Sequence, residues 1–518
     1  MGNASAAHVS AAARRWACGA LRGRTASALA LPLATILLGA CASGHLETRS
    51  ARDPRDLGHD SIAREPEAYA RSRLAALTAE AIRFPTVAGN LEARKGFQAW
   101  LEKTARGLGL ETRNAGKITE IELPGPKGAP VLGLVVHGDV QPVEPTAWTV
   151  PPFEGLVQGG FVIGRGAADD KGPLVQALLA MSMLETEART QTIRLLVGST
   201  EESDPAEMGE YLKDHEAPAY SLVLDSGFPV VVGEKAWQAL TVTAPKDSSG
   251  IELSAGLAPS IVPDIARVSW PSGTLPMQSP TGTQPRAADE GTRAALEGGA
   301  LVVRGKSAHA GVNIEGGRNA LVSLARLVDS ALPPSGARDL LAFARLAGTD
   351  IYGSGLGLTA DDPLWGRFAV NVATVKDSVM TINLRRPPPM TGPQLREHLF
   401  RVVADFNART GAELVPGGFF DDEPLVFDPE SRIVRRLMAD YERATGMHEK
   451  PAISGGGTYA KRLPHAIAFG MWFPGKPYPG HDVDEKVPLA DRARGLDVLL
   501  VTLRDLAERE PLQDPFGR

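Results

Sequence analysis

The residues with most chemistry to offer in this chain stand just after short apolar runs. His137-Gly138-Asp139 closes a run at 131–136, and a glycine-rich loop, GRGAADDKG, carries Asp169 and opens a helical pattern. Glu201-Glu202 follows a run at 193–197, and Asp225 follows one at 222–224. His481 follows the run at 466–469 through a Gly/Pro-rich loop. If those runs are buried strands of an open α/β sheet, a ligand binds in the crevice beyond their carboxyl ends. Two imidazoles and three carboxylates from these positions can meet there. That mixed set suits a borderline divalent metal such as zinc, whereas magnesium favours a shell of oxygen alone. Each piece is weak by itself: an H-x-D at a strand end is ordinary in a loop, and a Glu pair is ordinary on a surface. The order of the pieces, each at a strand end, carries the reading. His215, His398, His448 and His465 match no motif and are read as surface or core.

The elements that must position these groups follow from periodicity. Helical spacing of apolar residues marks 61–84, 90–108 and 172–185, alternating with the buried runs. Such alternation predicts an α/β mixed-sheet domain covered on both faces. Between about 236 and 422 the texture changes. Strand-like stretches at 238–243, 300–303 and 378–384 alternate with helical patterns at 320–330 and 393–409, and 271–286 is a Pro/Thr/Gly-rich surface excursion. This block is read as a second, α+β domain inserted into the first. The first resumes with helices at 429–445 and 489–510. The expected division is 1–40 leader, 41–60 tether, 61–235 first domain, 236–422 insert and 423–518 first domain again.

Composition narrows the field. The 518 residues are 43% hydrophobic and 22% charged, with a formal charge of −6. Arg14, Arg15, Arg22 and Arg24 face no acid within residues 1–40, so the remainder is more acidic still. A body of that charge lacks the basic footprint that phosphate backbones require, so nucleic acid is no partner. The only two cysteines, Cys18 and Cys41, lie in the leader region, which excludes a disulfide framework in the body. The apolar run at 26–40 is too short to span a bilayer and reads as a secretory signal. Its end, Leu38-Gly39-Ala40-Cys41, resembles a bacterial lipoprotein box. That resemblance implies cleavage before Cys41, lipid on Cys41, and an exported protein anchored in the cell envelope, on the periplasmic side.

Nine motifs taken together, VVHGDV, GRGAADDKGP, STEES, VLDSGFPVVVGEKA, GKSAHA, GGRNA, GGGTYAKRLP, AFGMWFPG and GHDVDEKV, resemble the co-catalytic zinc metallopeptidases. That family includes aminoacylase, carnosinase and glutamate carboxypeptidase, and the motifs are most similar to its bacterial dipeptidase V branch of Xaa-His type. The resemblance spans about residues 62–510. It implies a catalytic domain with an inserted lid of dimerisation type, and two divalent ions, zinc foremost, with cobalt or manganese able to replace it. His137, Asp169 and Asp225 would hold one ion, and Asp169, Glu202 and His481 the other. Asp139 would accept a hydrogen bond from His137 and fix its tautomer, and Glu201 would be the general base.

Three further positions are implied by the same resemblance, His309 and Arg385 in the insert and Gly456 in the resumed first domain. His309, in GKSAHA, would donate to the developing oxyanion. Arg385 would clamp a substrate carboxylate through its bidentate guanidinium, and Gly456 would let main-chain N–H groups approach the same carboxylate. Ser260 stands where the branch usually has Asn, and Thr200 where an acid or Asn is usual. The long lid implies a monomer. The expected activity is hydrolysis of dipeptides or short peptides with a free C-terminal carboxylate. The rival readings are an N-acyl-amino-acid deacylase or glutamate-type carboxypeptidase on the same fold, and a metal- or peptide-binding lipoprotein without catalysis. Glu201 and all five ligands are retained, which disfavours the last.

Overall fold

The computed structural model describes residues 66–271, 289–328 and 330–518. The leader, Cys18, Cys41, the tether and all of the expected excursion beyond its first residue lie outside the described residues. Ala70–Arg518 forms one compact unit.

A six-stranded mixed sheet carries the strand ends singled out above. Its strands are β1 (Glu111–Ala115), β2 (Ile118–Leu123), β3 (Val131–His137), β4 (Thr192–Gly198) and β5 (Tyr220–Val223), in the spatial order β1-β2-β4-β3-β5, with Ala466–Ala468 at the far edge. β3 runs parallel to both β4 and β5, and β5 runs parallel to the edge strand. Four neighbouring strands therefore end at one rim, where an α/β sheet opens its ligand crevice. The apolar character of VLGLVVH, TIRLLVG and YSLV follows from burial on both faces. The helix Lys171–Met183 is buried over nearly its whole length and packs with the helix Leu489–Glu508 and with β3. β1 and β2 form an antiparallel hairpin that the apolar pattern did not reveal, because β1 is largely exposed and reads ETRNA.

The second sheet has eight strands, all antiparallel. They are β6 (Ala236–Thr243), β7 (Glu252–Ala255), β8 (Ile265–Ser269), β9 (Arg293–Glu297), β10 (Ala300–Arg304), β11 (Ala369–Lys376), β12 (Val379–Arg386) and β13 (Val415–Asp422). Their order is β9-β10-β8-β7-β11-β12-β6-β13. The helices Ala320–Val328, Gly336–Ala347 and Gly392–Thr410 supply Leu321, Leu324, Leu341, Leu395 and Val403 to a core of its own. The last helix starts on a capping box between Thr391 and Gln394 and ends at Gly411 in the left-handed region. Between the sheets, Val231–Glu234 pairs with Leu425–Val426 and Ala452–Ser454. Among the described residues no helix is long and apolar enough to cross a membrane.

Candidate active site

The end of β3 places His137 in the interior with its ring held at both sides. Its Nδ1 lies 3.1 Å from the main-chain carbonyl of Asp139 and 3.5 Å from the Asp139 carboxylate. A carbonyl can only accept, so Nδ1 carries the proton and Nε2 turns a lone pair toward Asp169 Oδ1 at 2.9 Å and Asp225 Oδ2 at 3.7 Å. The tautomer thus rests first on the main chain of Asp139. The Asp139 carboxylate accepts the backbone N–H groups of Glu201 and Glu202, both at 3.1 Å, and so holds the acidic loop after β4 against the end of β3.

Asp169 lies between the two imidazoles. Its Oδ1 faces His137, and its Oδ2 lies 3.2 Å from His481 Nε2 and accepts the Tyr478 hydroxyl at 2.9 Å. His481 Nε2 is also 3.0 Å from Glu202 Oε1, and its Nδ1 lies 3.3 Å from the Ser260 carbonyl. The loop bearing Asp169 is fastened from beneath by Glu485, which accepts the N–H groups of Gly166 and Ala168 and pairs with Arg165 at 2.6 Å. Arg492 donates to the carbonyl of Ala167 at 2.6 Å.

These contacts bear directly on whether cations fit. Each imidazole gives its proton to a main-chain carbonyl, so the nitrogens facing the carboxylates are lone pairs. Lone pairs and carboxylate oxygens about 3 Å apart repel unless a cation lies among them. Without one, a proton is drawn in: burial lowers the His481 pKa, but Glu202 and Asp169 outweigh it and raise it to about 10. His137 is likewise raised despite burial, by Asp139 and Asp169. The distances join His137 with Asp169 and Asp225, and His481 with Asp169 and Glu202. They also show that Glu201 converges with His137 and Asp225 within 4.8 Å, as close as a ligand would. The donor set fits two divalent cations.

The second sheet closes over this centre. His309 Nδ1 accepts N–H groups from Gly311 and Val312, both at 3.0 Å, so its Nε2 bears the proton and can only donate. Burial holds the ring neutral by lowering its pKa well below the usual value, with His481 and Arg385 adding to the effect. The ring stacks on His481 at 4.4 Å between centroids. Arg385, at the end of β12, is buried, with Nε donating to Asn383 at 3.2 Å and Nη2 to Ser260 Oγ at 3.5 Å. Its neighbour Arg386 points the other way, toward Glu423 and the Met390 carbonyl. Gly456 sits opposite His309, and a Cβ there would come 3.2 Å from Val312. Asp169, Glu201, Glu202, Asp225, His309, Arg385, Ser260, Gly456 and His481 all line one cavity of about 560 Å³, with His137 and Asp139 just behind it. His398 Nε2 donates to the Leu356 carbonyl at 2.7 Å, and His448 is an exposed partner of Glu442, both away from this cavity.

Sequence reading missed Tyr478, Glu485 and Arg492. Only Glu485 stood in a quoted motif, GHDVDEKV; the other two reach the centre across more than 300 positions of chain.

A mixed sheet with convergent imidazoles and carboxylates at its strand ends, roofed by an antiparallel sheet, defines a metal-dependent hydrolase acting on peptide bonds. The chain belongs to Peptidase family M20/M25/M40, which matches residues 133–505. It is similar to "Putative dipeptidase YtjP" of Bacillus subtilis, 28% identical over 401 residues covering 74% of this chain and 84% of the relative. It is also similar to a "Putative dipeptidase" of Staphylococcus epidermidis, 28% identical over 375 residues covering 67% of this chain and 76% of the relative. Among solved structures, human carnosine dipeptidase 1 shares the fold with a TM-score of 0.54 at 13% identity, over 85% of this chain and 98% of that one.

Proposed function

We propose that this enzyme cleaves dipeptides and similarly short peptides that carry a free C-terminal carboxylate. The observation that carries the reading is the buried Arg385 guanidinium, set in the same cavity as the two imidazoles and their carboxylates. Among the described residues this guanidinium forms no ion pair with a carboxylate, which matches it to an anionic end of the substrate. His137, Asp169 and Asp225 would hold one divalent cation and Asp169, Glu202 and His481 a second, zinc being the best match to the nitrogen and oxygen donors. Such a pair would lower the pKa of water and polarise the scissile carbonyl. Glu201 takes the proton of the attacking water and returns it to the leaving amine. Burial raises the Glu201 carboxyl well above the usual range, with His137 opposing, which suits a base that must also act as an acid. His309 Nε2–H donates to the developing oxyanion. Ser260, joined to both Arg385 and His481, aligns the clamp with the centre.

The leader supports lipid attachment at Cys41 and a place on the periplasmic side of the envelope, and the size of the second sheet supports a monomer. The deciding experiment is a substrate panel on protein truncated after Cys41 and reconstituted with zinc, cobalt or manganese. Dipeptides are expected to turn over, and their C-terminal amides not. Turnover of N-acetyl amino acids alone would overturn the dipeptidase reading in favour of a deacylase.

A further inference from the structure

Strand register brings four side chains of the second sheet to one face above the cavity. Trp237 on β6 pairs with Arg385 on β12 and with Asp422 on β13, and Phe420 lies two residues before Asp422. Side chains alternate faces along a strand, so all four project from the same side. All four line the cavity that holds the metal-ligating residues. The Trp237 and Phe420 rings meet edge to face with centroids 4.7 Å apart, and the Arg385 guanidinium stands 5.8 Å from the Trp237 ring centroid. Asp422 is engaged by Arg462 at 2.7 Å and Lys461 at 3.4 Å, which leaves the aromatic pair as the apolar surface beside the clamp. Phe420 is 48% exposed, a large apolar ring left open at the cavity.

We propose that Trp237 and Phe420 form the wall that receives the side chain of the substrate's C-terminal residue, and that they select aromatic residues and leucine there over glycine and alanine. The inference rests on Arg385 as the carboxylate clamp. A carboxylate held by that guanidinium carries its own side chain one carbon away. The C-terminal residue's side chain, and not that of the residue before it, therefore falls on the rings next to the clamp. A bulky apolar group there covers surface that Phe420 otherwise leaves in water, and an aromatic group adds ring-to-ring contact in the offset or edge-on arrangements such pairs prefer. Glycine and alanine leave the wall wet.

The test compares kcat and KM for Ala-Gly, Ala-Ala, Ala-Leu and Ala-Phe in the metal-reconstituted wild type, Phe420→Ala, Phe420→Leu and Trp237→Ala. The wild type is expected to favour Ala-Phe over Ala-Gly by about tenfold or more in kcat/KM, with most of the difference in KM. Phe420→Ala is expected to shrink that ratio several-fold through KM, and Phe420→Leu to restore part of it. Phe420 is half in solvent, so its truncation is the variant best tolerated by folding; Trp237→Ala is the stronger but riskier one. A wild type without preference, or ratios unchanged in both alanine variants, would overturn the wall. A uniform loss of kcat across all four substrates would also overturn it, since that marks a merely structural role. If the enzyme cleaves only N-acetyl amino acids, the dipeptidase reading fails, and N-acetyl-Gly, -Ala, -Leu and -Phe decide the wall on the same ratios.

Discussion

At the scale of single residues, the centre is organised by where protons are fixed. His137 and His481 each direct Nδ1 at a carbonyl, whereas His309 has its Nδ1 filled by two main-chain N–H groups. The first two thereby turn a lone pair toward the carboxylates and the third a donor proton toward the cavity, although all three are the same amino acid. Glu201 is the residue whose role geometry divides most finely, because it converges with His137 and Asp225 as a ligand would. Glu201→Gln is expected to lower kcat by about 10²–10⁴-fold while the metal content stays that of the wild type. Elemental analysis of the purified variant alongside its kinetics separates the roles: metal lost together with activity would make Glu201 a ligand instead of the base.

At the scale of elements, the site exists because two sheets touch at a few points. Asn313 donates to the Tyr478 carbonyl at 3.1 Å, Lys306 pairs with Asp482 at 3.5 Å, and His481 reaches the Ser260 carbonyl. Main chain also lies on main chain, where Gly311 and Gly455 pack with no room for a Cβ on either. Gly455→Ala must push the second sheet off the centre. It is expected to lower kcat/KM tenfold or more, because sub-ångström misplacement of His309 and Arg385 costs orientation, while metal content stays normal. A wild-type kcat/KM in that variant would show that this contact does not set the active geometry.

A different contact between elements adds a pH dependence of stability. On the helix Arg432–Thr445, Asp440 is buried and faces Asp505 of the helix Leu489–Glu508; burial first, then Asp505, raises its carboxyl to about 7 against the opposing Arg443 and Arg436. Between the ordinary aspartate value and about 7 the folded form holds a proton that the unfolded form has lost. Stability from this group is therefore present at low pH and declines as pH rises through that window. Asp440→Asn is expected to flatten that decline and to raise Tm above pH 7, read by thermal melts from pH 5 to 9.

At the scale of the whole molecule, metal links fold to function. Because the candidate ligands converge only in the fold, metal loading is expected to add stability that grows with the logarithm of free metal over Kd. Exhaustive chelation is expected to abolish hydrolysis and lower Tm, and zinc, cobalt or manganese to restore both; activity that survives complete removal of metal would rule out the two-metal centre. The same scale shows how much could be read from sequence. The alternation of buried strands and helices, the strand ends at His137, Glu201, Asp225 and His481, and the family itself were legible, because apolar period and loop chemistry are local signals. The β1–β2 hairpin was not, since a largely exposed strand carries no apolar run. The helix Gly336–Ala347 also went unread, although Ser335 caps it by accepting from Arg338. By itself, then, the sequence determined the class of chemistry: which ligand types the chain owns and that each follows a strand. Only the tertiary structure decided the tautomers, the Tyr478 hydroxyl on Asp169, the Gly311–Gly455 contact and the aromatic pair beside Arg385. The physical reason is distance along the chain. Tyr478 and Asp169 are 309 positions apart, and no local period records which two loops a fold will press together.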